Sequence, residues 1–193
     1  NKLIGVFTQI KGEIEDPTFE DIYEIGTLAQ ILKMLRMPDG NTTLIIQGKR
    51  RIRLKEHMQS QPYLKAKVEA IPNVTEKRDK ELKAMLSSIK EVSLNIIELS
   101  PNIPSEASFA IKNIESDSFL INFVSGNLNV SNAEKQAILE VNTLKERANK
   151  VMKHLDKEIQ MLELKDQIQS KVRVDMDKQQ KEYFLQQQIR AIQ

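Results

Sequence analysis

Lys49, Arg50, Arg51, Arg53 and Lys55 set five cations within seven residues, the densest concentration of like charge in the chain. Two chemistries suit them. Cations on one surface can grip phosphate, and in that case the partner is nucleic acid. The intervening Ile52 and Leu54 suggest a simpler arrangement. At the period of two that a strand imposes, Arg51, Arg53 and Lys55 share one face and the two apolar residues share the other. That is a half-buried strand with a solvated cationic side, and it is the preferred reading, because nucleic-acid surfaces usually add stacking aromatics and only Tyr63 lies near in sequence.

Residues able to do covalent or metal chemistry do not fall into a working pattern. There is no G-x-x-x-x-G-K-[ST] phosphate loop, no G-x-S-x-G nucleophile turn and no H-E-x-x-H pair. The two histidines, His57 and His154, stand far apart without acidic or histidine neighbours at ligand spacing. Serines and lysines are plentiful, but a Ser/Lys dyad is defined by geometry that spacing does not reveal. The chain is therefore expected to carry no catalytic, cofactor-binding or metal-binding residue, which leaves binding and assembly.

Composition agrees. The 193 residues are 40% hydrophobic, enough for one good core or two small ones, and a formal charge of +2 is too small to name a partner. No apolar run approaches the ~20 residues needed to span a bilayer, and the opening residues lack a signal-peptide pattern, so no membrane is expected. The absence of cysteine excludes disulfides and thiolate metal sites and fits a reducing, cytoplasmic setting.

Glycine and proline divide the chain into two kinds of element. Five of the six glycines lie at or before Gly48, and all six prolines at or before Pro104. Within that first part, branched apolar residues predict strands over 3–10, 26–35, 42–47, 50–57 and 64–71. Met37, Pro38, Asp39, Gly40 and Asn41 predict the turn of a hairpin, since proline sets φ early in a turn and glycine or asparagine tolerates a positive φ later in it. After Pro72 the period becomes helical. Leu82, Met85, Leu86, Ile89, Val92, Ile96 and Ile97 form one face that ends before Ser100 and Pro101. Shorter helices are expected over 104–114, 118–128 and 131–141, the last opened by the Ser131/Glu134 capping-box spacing. Strands first and helices after them predict an α+β fold in two lobes, a small twisted sheet or partial barrel and a helical bundle.

Thr143 and Glu146 repeat the capping-box spacing, and from Leu144 the chain reads as one helix to its last residue. Leu144, Ala148, Val151, Leu155, Ile159, Leu162, Ile168, Val172 and Met176 form an apolar stripe whose mean step is nearer 3.6 than 3.5 residues, so a long strict coiled coil is not demanded. Fifty residues at ~1.5 Å each would reach about 75 Å, longer than a globular helix needs. The expectation is a helix docked in part on its own domain and serving something beyond it.

Several segments, taken in order, resemble one family. DIYEIGTLAQI from Asp21 to Ile31, MPDG from Met37 to Gly40 and GKRRIRL from Gly48 to Leu54 are similar to the amino-terminal domain of Lon proteases. EKQAILE from Glu134 to Glu140 and QQKEYFLQQQIRAIQ from Gln179 to Gln193 resemble the stretch that leads toward the family's ATPase module. The resemblance implies a PUA-like β subdomain over 1–72, a helical bundle over 73–143 and a long helix over 144–193. Such a region recognises and holds unfolded or damaged protein substrates and supports a homo-hexamer, while ATP and Mg act in a downstream AAA+ module and peptide cleavage in a Ser/Lys protease domain. Family members carry earlier strands before a segment like LIGVFTQI, so the β subdomain is expected to lack part of its start. The implied mechanism is weak, multivalent capture of exposed apolar segments, in which linked copies raise the effective concentration. The alternatives are DNA binding through Lys49, Arg50, Arg51, Arg53 and Lys55, and a purely structural spacer.

Overall fold

The computed structural model describes residues 2–72, 80–104 and 106–192. Four antiparallel strands, in the order β1 (Leu3–Val6), β2 (Ile25–Arg36), β3 (Thr42–Gln59) and β4 (Lys65–Ala70), form one sheet in which each strand pairs with its neighbours in sequence. Five helices come after them: α1 (Lys80–Leu99), α2 (Glu106–Asn113), α3 (Asp117–Asn127), α4 (Asn132–Leu139) and α5 (Leu144–Ile192). The architecture is α+β. The expected boundary between 72 and 73 borders residues 73–79, which lie outside the described residues, as do Ser105 and Gln193.

Two compact units are present, one holding the sheet together with Val130–Arg147, the other holding α1 to α3 and the rest of α5. In the sheet unit, the expected strands over 42–47 and 50–57 are one continuous β3. Gly48 does not interrupt it, because a bulge absorbs the irregularity: Leu28 faces Arg50 and Ala29 faces Gly48, leaving Lys49 as the extra residue. β1 is shorter than the expected 3–10. Beyond Val6 only an isolated bridge between Gln9 and Ile22 continues the pairing. The Phe7 ring lies against both glycines of the β1–β2 pair: a Cβ added at Gly5 would stand 2.7 Å from Phe7 Cε2, and one at Gly26 would collide with Phe7 and with the Val6 carbonyl oxygen. Ile25, Ala29 and Ile52 form the buried part of the sheet.

The hairpin turn forms where the proline and glycine place it. Met37 N–H donates to the Asn41 carbonyl at 2.8 Å and Gly40 N–H to the Met37 carbonyl at 3.1 Å, with Gly40 at φ 87°. Asp39 accepts from the Asn41 backbone and side-chain amides at 3.0 and 2.9 Å, and these bonds, the backbone one first, hold its carboxyl below the usual range.

In the helical unit, α1 buries Leu82, Leu86, Ile89, Ser93 and Ile96, and α3 buries Leu120, Ile121 and Val124. α3 starts one residue earlier than expected, since the Ser116 hydroxyl accepts from Phe119 N–H at 3.3 Å. Along α5 the apolar stripe is buried at Ala148, Val151 and Leu155 and exposed at Ile168, Val172 and Met176. The helix is thus packed in its first turns and bare along its second half, in keeping with the expected partial docking.

Candidate functional site

Each of the five cations in the cluster has a different fate, and the solvated-face expectation fails for one of them. Arg51 is only 6% exposed. Its Nη1 donates to the Leu139 carbonyl at 3.0 Å and the Val141 carbonyl at 2.5 Å, and its Nη2 to the Asn142 carbonyl at 3.3 Å. These carbonyls leave the end of α4, where the last turn lacks intrahelical donors and carries the negative end of the helix dipole. Arg51 is the C-terminal cap of α4. Strand alternation correctly separates it from Leu54 but is silent about what covers its side of the sheet.

The other four are differently placed. Lys49, on the bulge, and Arg50 are exposed, with Lys49 Nζ donating to Gln47 Oε1 at 2.6 Å. Arg53 is half-buried. Lys55 Nζ is 2.7 Å from Glu69 Oε2, a cross-strand pair whose side chains are each more than half exposed. That contact, as hydrogen bond and as charge, holds the Glu69 carboxyl below its ordinary range. An exposed pair of this kind is screened by solvent and contributes little to stability. The structure therefore does not assemble the five into a single cationic surface.

Two buried polar residues outside the cluster lie near the same segment. Gln136, buried in α4, donates through Nε2 to the Ile25 carbonyl at 2.9 Å and to Glu140 Oε1 at 2.9 Å. Arg147, in the first turns of α5, is 3% exposed, and its pKa is pushed down to about 10, first by burial and then by the nearby charge of Arg51. Burial alone lowers that of Arg51. Capping boxes frame the segment: Ser131 with Glu134 opens α4, and Thr143 with Glu146 opens α5, where Glu146 N–H donates to Thr143 Oγ1 at 3.2 Å. Both boxes are legible as spacings. Gln136 left no comparable signal, because a glutamine inside a short helix ordinarily faces water.

The sheet unit leaves Leu3, Val6, Ile10, Met58, Tyr63 and Val68 exposed one by one, and exposes apolar side chains most densely along the β2–β3 hairpin. Beyond Ile31 the β2–β3 hairpin continues as a two-stranded ribbon, and Leu32, Met34, Met37, Leu44, Ile45 and Ile46 on it are between 40% and 55% exposed. Contiguous exposed apolar surface on a polar rim is the mark of a binding surface. A shallow concavity around Met176, Gln180, Tyr183 and Phe184 is walled by α5 alone. Among the described residues no three His, Asp or Glu side chains converge as a metal would need, and no helix is long and apolar enough to cross a membrane. His57 stacks on Phe19 with ring centroids 4.0 Å apart.

Residues 1–157 match the family described as the ATP-dependent protease La (LON) substrate-binding domain. The Lon protease of Flavobacterium johnsoniae is 55% identical over the whole of this chain, and that of Cytophaga hutchinsonii 45%. The chain spans 24% of the length of each of these relatives. Among solved structures, the N-terminal domain of a Mycobacterium avium complex Lon protease superposes with a TM-score of 0.60 at 18% identity, covering 80% of this chain and 90% of that one. A Lon N-terminal domain protein from Xanthomonas campestris gives 0.50 at 13%, covering 78% and 88%. At these identities the likeness speaks to the fold, and the fold is the Lon N-terminal one. Match and relatives together place the chain in the Lon substrate-binding domain family.

Proposed function

We propose that this chain is the substrate-recognition region of an ATP-dependent Lon protease, capturing unfolded or damaged polypeptides for a motor and a peptidase that lie elsewhere in the protein. The observation that carries the reading is the exposed apolar ribbon of β2 and β3, in a chain with no reactive constellation and a family described by substrate binding. Weak capture suffices if the protease is a homo-hexamer, because linked copies multiply a low single-site affinity. ATP and Mg serve the downstream module. This chain has no phosphate loop and no metal cluster among its described residues, so no step through them is assigned to it. A cytoplasmic location fits the cysteine-free sequence.

A second reading rests on the exposed Lys49 and Arg50, which with Arg53 and Lys55 could contact DNA phosphates; buried Arg51 cannot join them without uncapping α4. One experiment separates the two. The chain is titrated with reduced, carboxymethylated α-lactalbumin and with duplex DNA across a salt series. Capture of the denatured protein that persists as salt rises supports substrate recognition, since apolar contact is not screened, whereas phosphate contacts weaken steeply. Binding of DNA alone would refute it.

A further inference from the structure

The ribbon has an exposed edge as well as exposed faces. β4 pairs with β3 only from Ile52 to Gln59, and β1 pairs with β2 only from Thr27 to Gln30. Among the described residues, the side of β3 turned away from β2 has no strand partner over 42–50, so alternate amides and carbonyls along it point outward. An isolated two-stranded hairpin is marginal in water, and a third strand is what stabilises it. The other outer edges are charged or short, and the free side of β2 over 32–36 bears Lys33 and Arg36. β4 carries the charged pairs Lys67–Glu56 and Glu69–Lys55, the usual defence of an edge strand, and β1 has four residues. Over 42–47, β3 reads TTLIIQ, with no charge at all.

Charge selects the occupant. From Ile31 to Arg50 the ribbon bears Lys33, Arg36, Lys49 and Arg50 against Asp39 alone, and Asp39 is already engaged by Asn41. Two copies paired antiparallel edge to edge would set Lys49 and Arg50 of one beside Gly40 and Asp39 of the other, and that carboxylate is already taken by Asn41, so a second copy offers these cations no free partner. An extended apolar segment with acidic residues beside it would instead set its carboxylates toward Lys49 and Arg50, at the end of the uncharged stretch.

We propose that the β3 edge over 42–47 takes up an extended apolar segment of a substrate polypeptide as an added antiparallel or parallel strand, and prefers segments flanked by Asp or Glu. This rests on the substrate-recognition reading and gives it a mode and a sequence preference. Main-chain pairing supplies affinity indifferent to side-chain identity, which a receptor for many unfolded proteins requires, while the flanking cations discriminate.

The test uses fluorescence anisotropy with a fluorescein-labelled peptide of alternating Val and Thr, about eight residues long, ending in Asp-Asp-Glu. Companions end in Lys-Lys-Lys or carry proline at alternate positions. The acidic peptide should bind about ten-fold tighter than the lysine one, the order should reverse in a Lys49→Glu/Arg50→Glu variant, and the proline peptide should lose about ten-fold or more because it cannot donate to the edge. Both substituted residues are exposed, and unchanged circular dichroism confirms that the variant is folded. Equal binding of the proline and unbroken peptides would overturn strand addition, and indifference to the tail would overturn the charge preference. A dimer that the peptide fails to displace and the double variant dissolves would assign the edge to a second copy. Denatured α-lactalbumin bound equally by wild type and a Leu44→Lys/Ile46→Lys variant would remove the ribbon as the site while leaving substrate recognition standing; no binding by wild type would remove both.

Discussion

Replacing Arg51 by methionine keeps an apolar stem in a buried position and removes the three donors that cap α4. The carbonyls of Leu139, Val141 and Asn142 then lose their shared partner. A hydrogen bond to a charged group contributes about 1.5–3 kcal/mol, and an orphaned buried acceptor costs about 1–3 kcal/mol. The three bonds share one guanidinium and the third is long, so they do not add. Against the loss stands relief from burying a cation near Arg147. The net expectation is a destabilisation of roughly 2–3 kcal/mol, or about 30- to 160-fold more opening of the affected amides. Hydrogen exchange read by mass spectrometry should show peptides from α4 and the middle of β3 losing protection together. Arg53→Met, two residues along the same strand and half-buried, should change them by less than about three-fold. If the two variants exchange alike, or α4 exchanges as in wild type, Arg51 is not the cap.

Other parts of the molecule give four further expectations. Arg147→Lys puts a lysine where burial has lowered arginine to about 10, so the same burial should hold the lysine below its ordinary ~10.4 in the folded state. The unfolded chain then holds its proton to higher pH than the native one, so the variant's urea midpoint should rise relative to wild type as pH climbs toward the ordinary lysine value; a flat or falling difference contradicts the burial argument. Gly26→Ala drives a methyl group into Phe7 and the Val6 carbonyl, and thermal unfolding should show a loss of about 1–3 kcal/mol, with Gly12→Ala, which meets nothing, as the silent comparison. The purified chain should neither hydrolyse ATP nor cleave casein, and turnover that co-elutes with it through size exclusion would contradict the reading of its motifs. Met176→Pro, in the bare half of α5, costs about 3 kcal/mol locally; in an intact protease it should impair degradation of folded proteins more than cleavage of short peptides, and equal losses with the oligomer intact would argue against a part in delivery.

What was legible in the sequence is what local physics decides. Capping boxes at Ser131/Glu134 and Thr143/Glu146, the MPDG turn and the face of α1 each depend on residues within a few positions of one another, and the structure forms all of them. The join of two expected strands into β3 was hidden because Gly48 reads as a break, and only the partner strand shows that Lys49 is a bulge inside a continuous ladder. Arg51 was hidden for a stronger reason. Alternation assigns a residue to a face but not the face to solvent, and its acceptors lie some ninety residues away in sequence. Gln136 and Ile25 are more than a hundred apart. Long-range polar contacts made by residues common on surfaces leave no periodic trace. The exposed ribbon was invisible for the converse reason: an alternating or continuous apolar run announces burial, and Leu44, Ile45 and Ile46 read as core although they are exposed.

That last contrast bears on why the surface is built as it is. The proposed capture of unfolded chains would need apolar surface that does not collapse onto its own core, and a ribbon extending past the end of its neighbouring strands provides this, because β1 and β4 stop before they reach it. Such a ribbon is costly to keep ordered, and its order must come from the part of the same strands that is packed. β3 meets that need in one continuous run: 42–47 lie in the ribbon, Lys49 marks the bulge, and Arg51 and Ile52 are buried a few residues later. The guanidinium of Arg51 ties that strand to the end of α4, and Gln136 ties α4 to the first residue of β2. Both strands of the ribbon are therefore held at their bases by buried polar bonds, which are directional where apolar packing is not. The exposed surface can then stay open without its strands slipping in register, a failure that would turn every apolar side chain to the opposite face.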